Sequence, residues 1–267
     1  MATRTQTERT APRHRRRSRE WTGFTVTVVL GLLVVWALID TGVDLARIAA
    51  SGPRIWAFLD RMYPPDWSVL GTVVDASLET FHIALLGTVA SIVFSIVLGV
   101  LAAESVTPRF VHVPVKWLLA TIRAIPLILV AMLMVGAVGL GPLPGILAIA
   151  FHSTGMLGKF YAEAIESVPA RSLEALDSAG ATWLQKMRFG AWPQMAPDLV
   201  RDTLFRFELN IRESLVLGLV GAGGIGFYIQ TYVRAFQYNK AATLTIVVVL
   251  FVVLIEAVNH VVRASLR

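Results

Sequence analysis

The sequence predicts an all-α fold, a bundle of about six membrane-spanning helices interrupted by one long polar segment. Three observations predict it. Of the 267 residues, 55% are hydrophobic and 16% charged, and the mean hydropathy of +0.66 is far above that of a soluble domain of this length. A helix needs roughly 20 largely apolar residues to cross the hydrocarbon, and six windows meet that test with differing clarity, at 21–40, 81–103, 116–138, 144–166, 198–220 and 241–262. Between the fourth and the fifth, residues 167–197 are too polar to span and too long for a turn.

The first window follows a basic tail. Residues 1–23 hold seven arginines against Glu8 and Glu20, so they carry +5 of the formal +6. A short basic run before an apolar span sets topology or touches anionic lipid, and it speaks against nucleic acid as a partner. The run Arg13–Arg19 followed by Phe24–Ile39 has the layout of a secretory signal. No small-residue cleavage site follows, so the expectation is an uncleaved anchor. The chain has no cysteine, which excludes disulfides and thiolate metal sites.

After the anchor, residues 41–80 mix Trp56, Phe58, Met62, Tyr63 and Trp67 with charges. They read either as a short amphipathic helix on the outer interface or as a loop packed on the spans. The third and fourth windows are nearly continuous, because no charge occurs from Ala124 to Phe151. Gly139-Leu140-Gly141-Pro142-Leu143-Pro144-Gly145 supplies the break, predicting a tight hairpin of two spans. The expected organisation is a cytoplasmic tail (1–22), an anchor with an external loop (23–77) and a core (78–267). By the positive-inside rule the arginine tail lies in the cytoplasm, and six crossings return the C-terminus there. Arg109, Arg171, Lys186, Arg188, Arg263 and Arg267 then also fall inside, while Arg47, Arg54 and Arg61 fall outside.

In the polar segment, Leu173, Leu176, Ala179 and Trp183 recur at near-helical spacing, with Ser172 as the expected cap. Gly180 is expected to end the helix, and Pro193 and Pro197 to mark the return to the membrane. An amphipathic helix held at the cytoplasmic face is a docking element, because its apolar side needs a groove.

Glu174-Ala175-Leu176, then Gly180 and Trp192-Pro193, resemble the Glu-Ala-Ala…Gly…Leu-Pro signature of bacterial ABC-importer permeases. Leu176 and Trp192 depart from it but keep the apolar character. The resemblance extends to the phosphonate-type branch, through Glu79-Thr80 with Leu86-Gly87-Thr88, Arg123-Ala124-Ile125-Pro126 and Gly155-Met156-Leu157-Gly158-Lys159 with Glu163 to Glu166. It continues through Arg206-Phe207-Glu208-Leu209-Asn210-Ile211-Arg212 into Gly221-Ala222-Gly223-Gly224-Ile225-Gly226-Phe227, so that it covers about residues 78–267.

The resemblance implies that residues 170–195 hold a coupling helix. Its ATPase-coupling residues would be Glu174, Ala175, Leu176, Gly180, Ala181, Trp183 and Pro193. It further implies a second permease subunit, identical or paralogous, two ATP-binding subunits and an extracytoplasmic phosphonate- or phosphate-binding protein. The chain itself would bind no cofactor and catalyse nothing, with ATP and magnesium held by the partner ATPase. The alternatives are an importer for another small solute such as methionine, or an ion-driven transporter using Glu208, Glu213 or Glu256.

The fifth window carries charges that lipid does not accept. Counted from Asp198 at about 1.5 Å per residue, Arg206 lies about 12 Å and Arg212 about 21 Å along the helix. A charge at such depth costs at least about 2.5–3.5 kcal/mol. Glu208 and Arg212 stand i,i+4, whereas Arg206, Asn210 and Glu213 share a second face. Two readings stand for these five: they pin the helix into the bundle, or they line a pathway on which an arginine fork grips phosphate-like oxygens. His152 is read as a hydrogen-bonded packing residue and Lys159 as snorkelling to the inner side. Gly221, Gly223, Gly224 and Gly226 match G-x-G-x-x-G, but they follow a span and lack any βαβ unit. They are expected to turn the backbone near an outer gate. No Walker motif occurs, and the five histidines show no metal spacing; Glu79 and His82 could meet at i,i+3 in a capping or packing role.

Overall fold

The computed structural model describes residues 14–42, 44, 47–48 and 50–265. The tail 1–13 and Arg267 lie outside the described residues, as do the side chains of 14–22, Trp183, His260 and Arg263. The chain divides into two compact units, Met1–Leu59 and Asp60–Arg267.

In the first unit, α1 (His14–Asp40) contains the apolar stretch Gly23–Asp40, long enough to cross a membrane. Its side chains from Gly23 onward are all exposed, as a lipid-facing helix requires. The helical option for residues 41–80 is realised as α2 (Gly52–Asp60), which exposes Ile55, Trp56 and Leu59.

The second unit is built on α3 (Leu70–Ala102), entered through a 3-10 turn (Trp67–Val69) that Asp66 caps by accepting from the Ser68 amide at 3.0 Å. Next come α4 (Arg109–Ala124), α5 (Leu127–Val138) and α6 (Pro142–Glu166). The polar segment holds α7 (Ala170–Ser178), a short helix at Trp183–Gln185 and a π-helical turn (Lys186–Ala191). It leads into α8 (Trp192–Gly218), α9 (Gly224–Arg234) and α10 (Tyr238–Ser265).

All six predicted windows are helical, with one departure in geometry. The third window is not one straight span: α4 and α5 meet at 84°. Pro126 supplies the reason. It brings no amide hydrogen to continue α4 and forces Ile125 into an extended conformation, so a new helix starts beyond it. Trp67–Ala102 and Tyr238–Asn259 are, like Gly23–Asp40, apolar enough to cross a membrane alone, and the bent pair makes a fourth span if taken together. The remaining two windows, in α6 and α8, fall short of that apolarity because they carry the polar residues of the bundle interior.

The interior has three apolar centres. Ile83, Val130, Ala131, Ala148, Ile149, Leu217 and Ala222 join α3, α5, α6 and α8. Val69, Val73, Ala76, Ile225 and Leu244 tie α3 to α9 and α10. Ala102, Ala103, Leu119 and Ala162 close the other end of α3 against α4 and α6. Small residues set the spacing here, since apolar solvent gives helices little reason to associate except close packing.

Candidate functional site

The polar segment folds back on itself. Proline at position 169 caps α7 without a side-chain hydrogen bond, and Ser172 donates its amide to Pro169 inside the first turn. The expected Ser172 cap is therefore displaced by the preceding Pro169, whose fixed φ opens the helix. Gly180 has φ +75°, with Gly180 N bonded to Asp177 O at 2.9 Å and Ala181 N to Leu176 O at 3.0 Å. This Schellman arrangement ends α7 where the sequence places its stop. Thr182 and Gln185 then form a reciprocal cap, Thr182 N to Gln185 Oε1 at 2.8 Å and Gln185 N to Thr182 Oγ1 at 3.4 Å.

Leu173 and Leu176 point inward onto Gly190, where an added Cβ would lie 2.8 Å from Leu176 Cδ1 and 3.0 Å from Leu173 Cδ2. Lys186 Nζ bonds Asp177 Oδ1 at 2.7 Å and clasps the same turn to α7. The apolar side of the helix is thus covered by the chain's own π-turn. Outward face Glu174, Ala175 and Gly180, with Leu184 and Phe189 exposed beside them. Ala181 is half-buried and Pro193 opens α8. Behind this segment an apolar cavity of about 810 Å³ runs between Ile96 of α3, Tyr161 of α6, Leu173, Met187, and Trp192 and Thr203 of α8.

Deeper in α8 the charged residues form two groups. Arg206, 1% exposed, gives Nε to Ser153 Oγ at 2.9 Å, Nη2 to Glu213 Oε2 at 2.6 Å and Nη1 to Met156 Sδ at 3.2 Å. Ser153 Oγ donates to Asn210 Oδ1 at 2.9 Å, and Asn210 Nδ2 to Thr88 Oγ1 at 2.8 Å. Thr88 passes the chain on to Ala84 O at 2.6 Å. This network pins α8 to α6 and α3 with every buried member satisfied. The second group lies at the surface of the bundle: Arg212 Nη2 bonds Glu208 Oε1 at 2.8 Å and also Glu256 of α10. Arg212 and Glu256 are each nearly half exposed.

The glycine stretch turns the chain between α8 and α9. Gly221, Gly223 and Gly224 have φ of +93°, +79° and +73°, values that side-chain-bearing residues avoid. Ile225 N donates to Thr80 Oγ1 at 2.9 Å, and Gly141 N to Gly221 O at 3.0 Å, so the loop is fastened to α3 and to the start of α6. Gly226 packs against the backbone of Leu215. Glu79 abuts Gly223, while His82 is exposed beside the Phe81 ring, so these two do not form the pair their spacing allows. His152, expected as a hydrogen-bonded packing residue, has its Nδ1 buried without a partner among the described residues. Lys159 pairs with Glu163 at 3.2 Å. Among the described residues no group of His, Cys, Asp or Glu is arranged to hold a metal.

Residues 95–267 match the family described as binding-protein-dependent transport system inner membrane component. The chain belongs to that family. It is 35% identical over 91% of its length, and over 88% of the relative's, to the phosphite transport system permease protein PtxC of Stutzerimonas stutzeri. It is also 35% identical to the phosphate-import permease protein PhnE of Mycolicibacterium smegmatis, over 77% of this chain and 39% of that one. An inward-facing structure of the MetNI methionine ABC transporter superposes with TM-score 0.66 over 76% of this chain and 99% of that chain, at 20% identity. The fold is that of an ABC importer permease, a multi-pass membrane protein.

Within this permease the sequence located α7, its glycine stop and both faces of α8. It missed Ser153 and Thr88, because hydroxyl residues inside apolar runs look neutral until a buried donor faces them. Glu256, 44 residues beyond Arg212, gave no sign of being its partner.

Proposed function

We propose that the chain is the translocating subunit of an ATP-driven importer for phosphorus oxyanions of the phosphite, phosphonate and phosphate class. The observation that carries the substrate class is the 35% identity over nine-tenths of the chain to a permease named for phosphite transport. The N- and C-termini face the cytoplasm in this reading, as the arginine tail favours. Two permease subunits pair, two ATP-binding subunits dock at α7, and an external binding protein delivers the anion. Stutzerimonas stutzeri has two relatives, HtxC and HtxE, each named as a phosphite transport system permease protein, which favours a pair of paralogues as readily as two identical copies. ATP and magnesium belong to the ATPase partner, and this chain binds neither.

The outward-facing Glu174, Ala175 and Gly180, with Leu184 and Phe189, form the docking face, while Leu176, Ala181 and Pro193 hold its shape; Trp183 belongs to the same coupling segment, its side chain outside the described residues. ATPase closure moves that face and, through the clasp on the π-turn and α8, rocks the spans between two states whose populations nucleotide shifts. Arg212, with Glu208 beside it, lines the pathway. Its two carboxylates hold the guanidinium in place and yield it when an oxyanion offers a charge-assisted, bidentate alternative. Arg206, Asn210 and Glu213 form the layer behind, and Gly221 to Gly226 the turn at the outer gate.

Reconstitution in proteoliposomes with the cognate binding protein and ATPase tests this. Uptake of phosphite, phosphate or an alkylphosphonate should require ATP and the ATPase, and methionine should not enter. Transport without the ATPase, or of methionine alone, would overturn the reading. Glu174→Lys should leave ATP hydrolysis running but cut uptake, and undiminished uptake would remove α7 from the coupling role.

A further inference from the structure

A second cavity, polar and away from α8, is left unexplained by the transport pathway. It has a volume of about 190 Å³, the share of roughly six liquid waters, and lies where α4 crosses the last turns of α6 beside the end of α3. Lys116 and Arg123 reach it from α4, Lys159, Glu163 and Glu166 from α6, and Ala102, Leu119 and Ala162 form its apolar floor. The helices are drawn together by glycine: a Cβ on Gly155 would stand 2.7 Å from Ile122 Cγ2 and 3.0 Å from Arg123 Cγ, and one on Gly158 would stand 2.8 Å from Leu119 Cδ2. Arg123 is therefore held against α6 by its own stem.

The charges in this cavity can be counted off pair by pair. Glu166 accepts from Lys116 Nζ at 3.2 Å and from the Glu104 amide at 2.7 Å. Lys116 is also held by Glu104 at 2.7 Å, and Lys159 pairs with Glu163 at 3.2 Å. Each lysine has its carboxylate and each carboxylate of the lining its lysine. Arg123 has none: its Nε is buried and meets no acceptor among the described residues. A buried guanidinium nitrogen without an acceptor is costly, because the donor loses water and gains nothing. The cost vanishes when a planar fork meets two oxygens of one anion.

We propose that this cavity binds a tetrahedral phosphorus oxyanion at Arg123, with Lys116 and Lys159 flanking it. Two sources present that chemistry, a free phosphate-class anion and the phosphodiester of an anionic lipid headgroup, which basic pockets between spans are suited to take. The site lies immediately before the polar segment that begins at Ser167. Placing that end at the cytoplasm rests on the orientation proposed above, whereas the site itself does not.

The test uses the full chain, purified and placed in nanodiscs. Radiolabelled orthophosphate is titrated in discs of phosphatidylcholine alone, and phosphatidylglycerol retained by the protein is quantified from mixed discs. Arg123→Gln should weaken whichever ligand the site takes by at least tenfold, and Arg123→Lys, which keeps the charge without the fork, several-fold. Arg234→Gln, at an exposed position in the last turn of α9, should leave that binding as it was. Arg123-dependent orthophosphate binding in phosphatidylcholine identifies the free anion, and Arg123-dependent retention of phosphatidylglycerol identifies the headgroup. If the Gln variant does not fold, the Lys variant decides: wild-type affinity for both ligands overturns the site, as does unchanged binding by Arg123→Gln. Neither ATPase nor binding protein takes part, so a negative result leaves the uptake reading standing, and failed uptake leaves this site to be judged on its own.

Discussion

Arg206 shows how one buried charge organises its surroundings. Its side chain is enclosed, and its charged partner, Glu213 at 2.6 Å, sits two turns along the same face of the helix. Replacing a single member of such a pair leaves the other charge buried alone, which costs on the order of 3–5 kcal/mol. Arg206→Met should therefore lower the thermal unfolding midpoint in detergent sharply, and adding Glu213→Gln should recover much of the loss. If the single variant melts like the wild type, the network is not what fixes α8. The helical wheel placed Arg206, Asn210 and Glu213 on a common face, because spacing along one helix is legible in sequence. The bridging Ser153, from another helix, depends on how α6 lies against α8, and no local pattern encodes that.

The corner between α8 and α9 is decided by the room that glycine leaves. A Cβ on Gly218 would lie 2.7 Å from Gly223 O, Gly226 Cα and Phe227 N, all of them backbone. None of these can swing aside as a side-chain tip would, so Gly218→Ala should destabilise by about 1–3 kcal/mol, read as a lower melting midpoint. An equal midpoint would mean that the corner opens freely. The link between α3 and α4 rests on charge instead. The Glu104 carboxyl is held below the usual carboxylate range, first by the hydrogen bond from Lys116 and then by its charge. A carboxyl lowered on folding adds stability above its unfolded pKa of about 4.3 and loses that contribution as pH falls through the lower folded value. Glu104→Gln should accordingly depress the melting midpoint slightly at pH 7 and by less as pH falls through the lowered folded value, and a drop that does not change with pH would discard the ion pair as the cause. Element boundaries were legible where Gly180 and the Gly/Pro cluster at 139–145 stand. The 84° turn at Pro126 was not, because hydropathy runs smoothly through residues that proline divides.

For the whole molecule, the informative residue is Arg212. It lies about 21 Å along α8 from Asp198, yet it is nearly half exposed together with Glu256. Hydrocarbon does not tolerate ions at that depth, so this face of the subunit meets water or another protein. Phe205, Arg212 and Val216 are exposed on one side of α8, with Leu219 just past its end, whereas Leu254 of α10 is exposed on the side of its helix opposite Glu256. A transporter built from paired permeases would set the first face toward its partner and the second toward lipid. The chain has no cysteine, so a single introduced thiol reports contact without background. With the matching position of the partner permease also changed to cysteine, Val216→Cys should form an intersubunit disulfide in membranes under mild oxidation. Leu254→Cys, treated alike, should stay unlinked. Equal linking at both positions, or none at Val216 in the assembled importer, would mean that the charged stripe of α8 is not where the two halves meet.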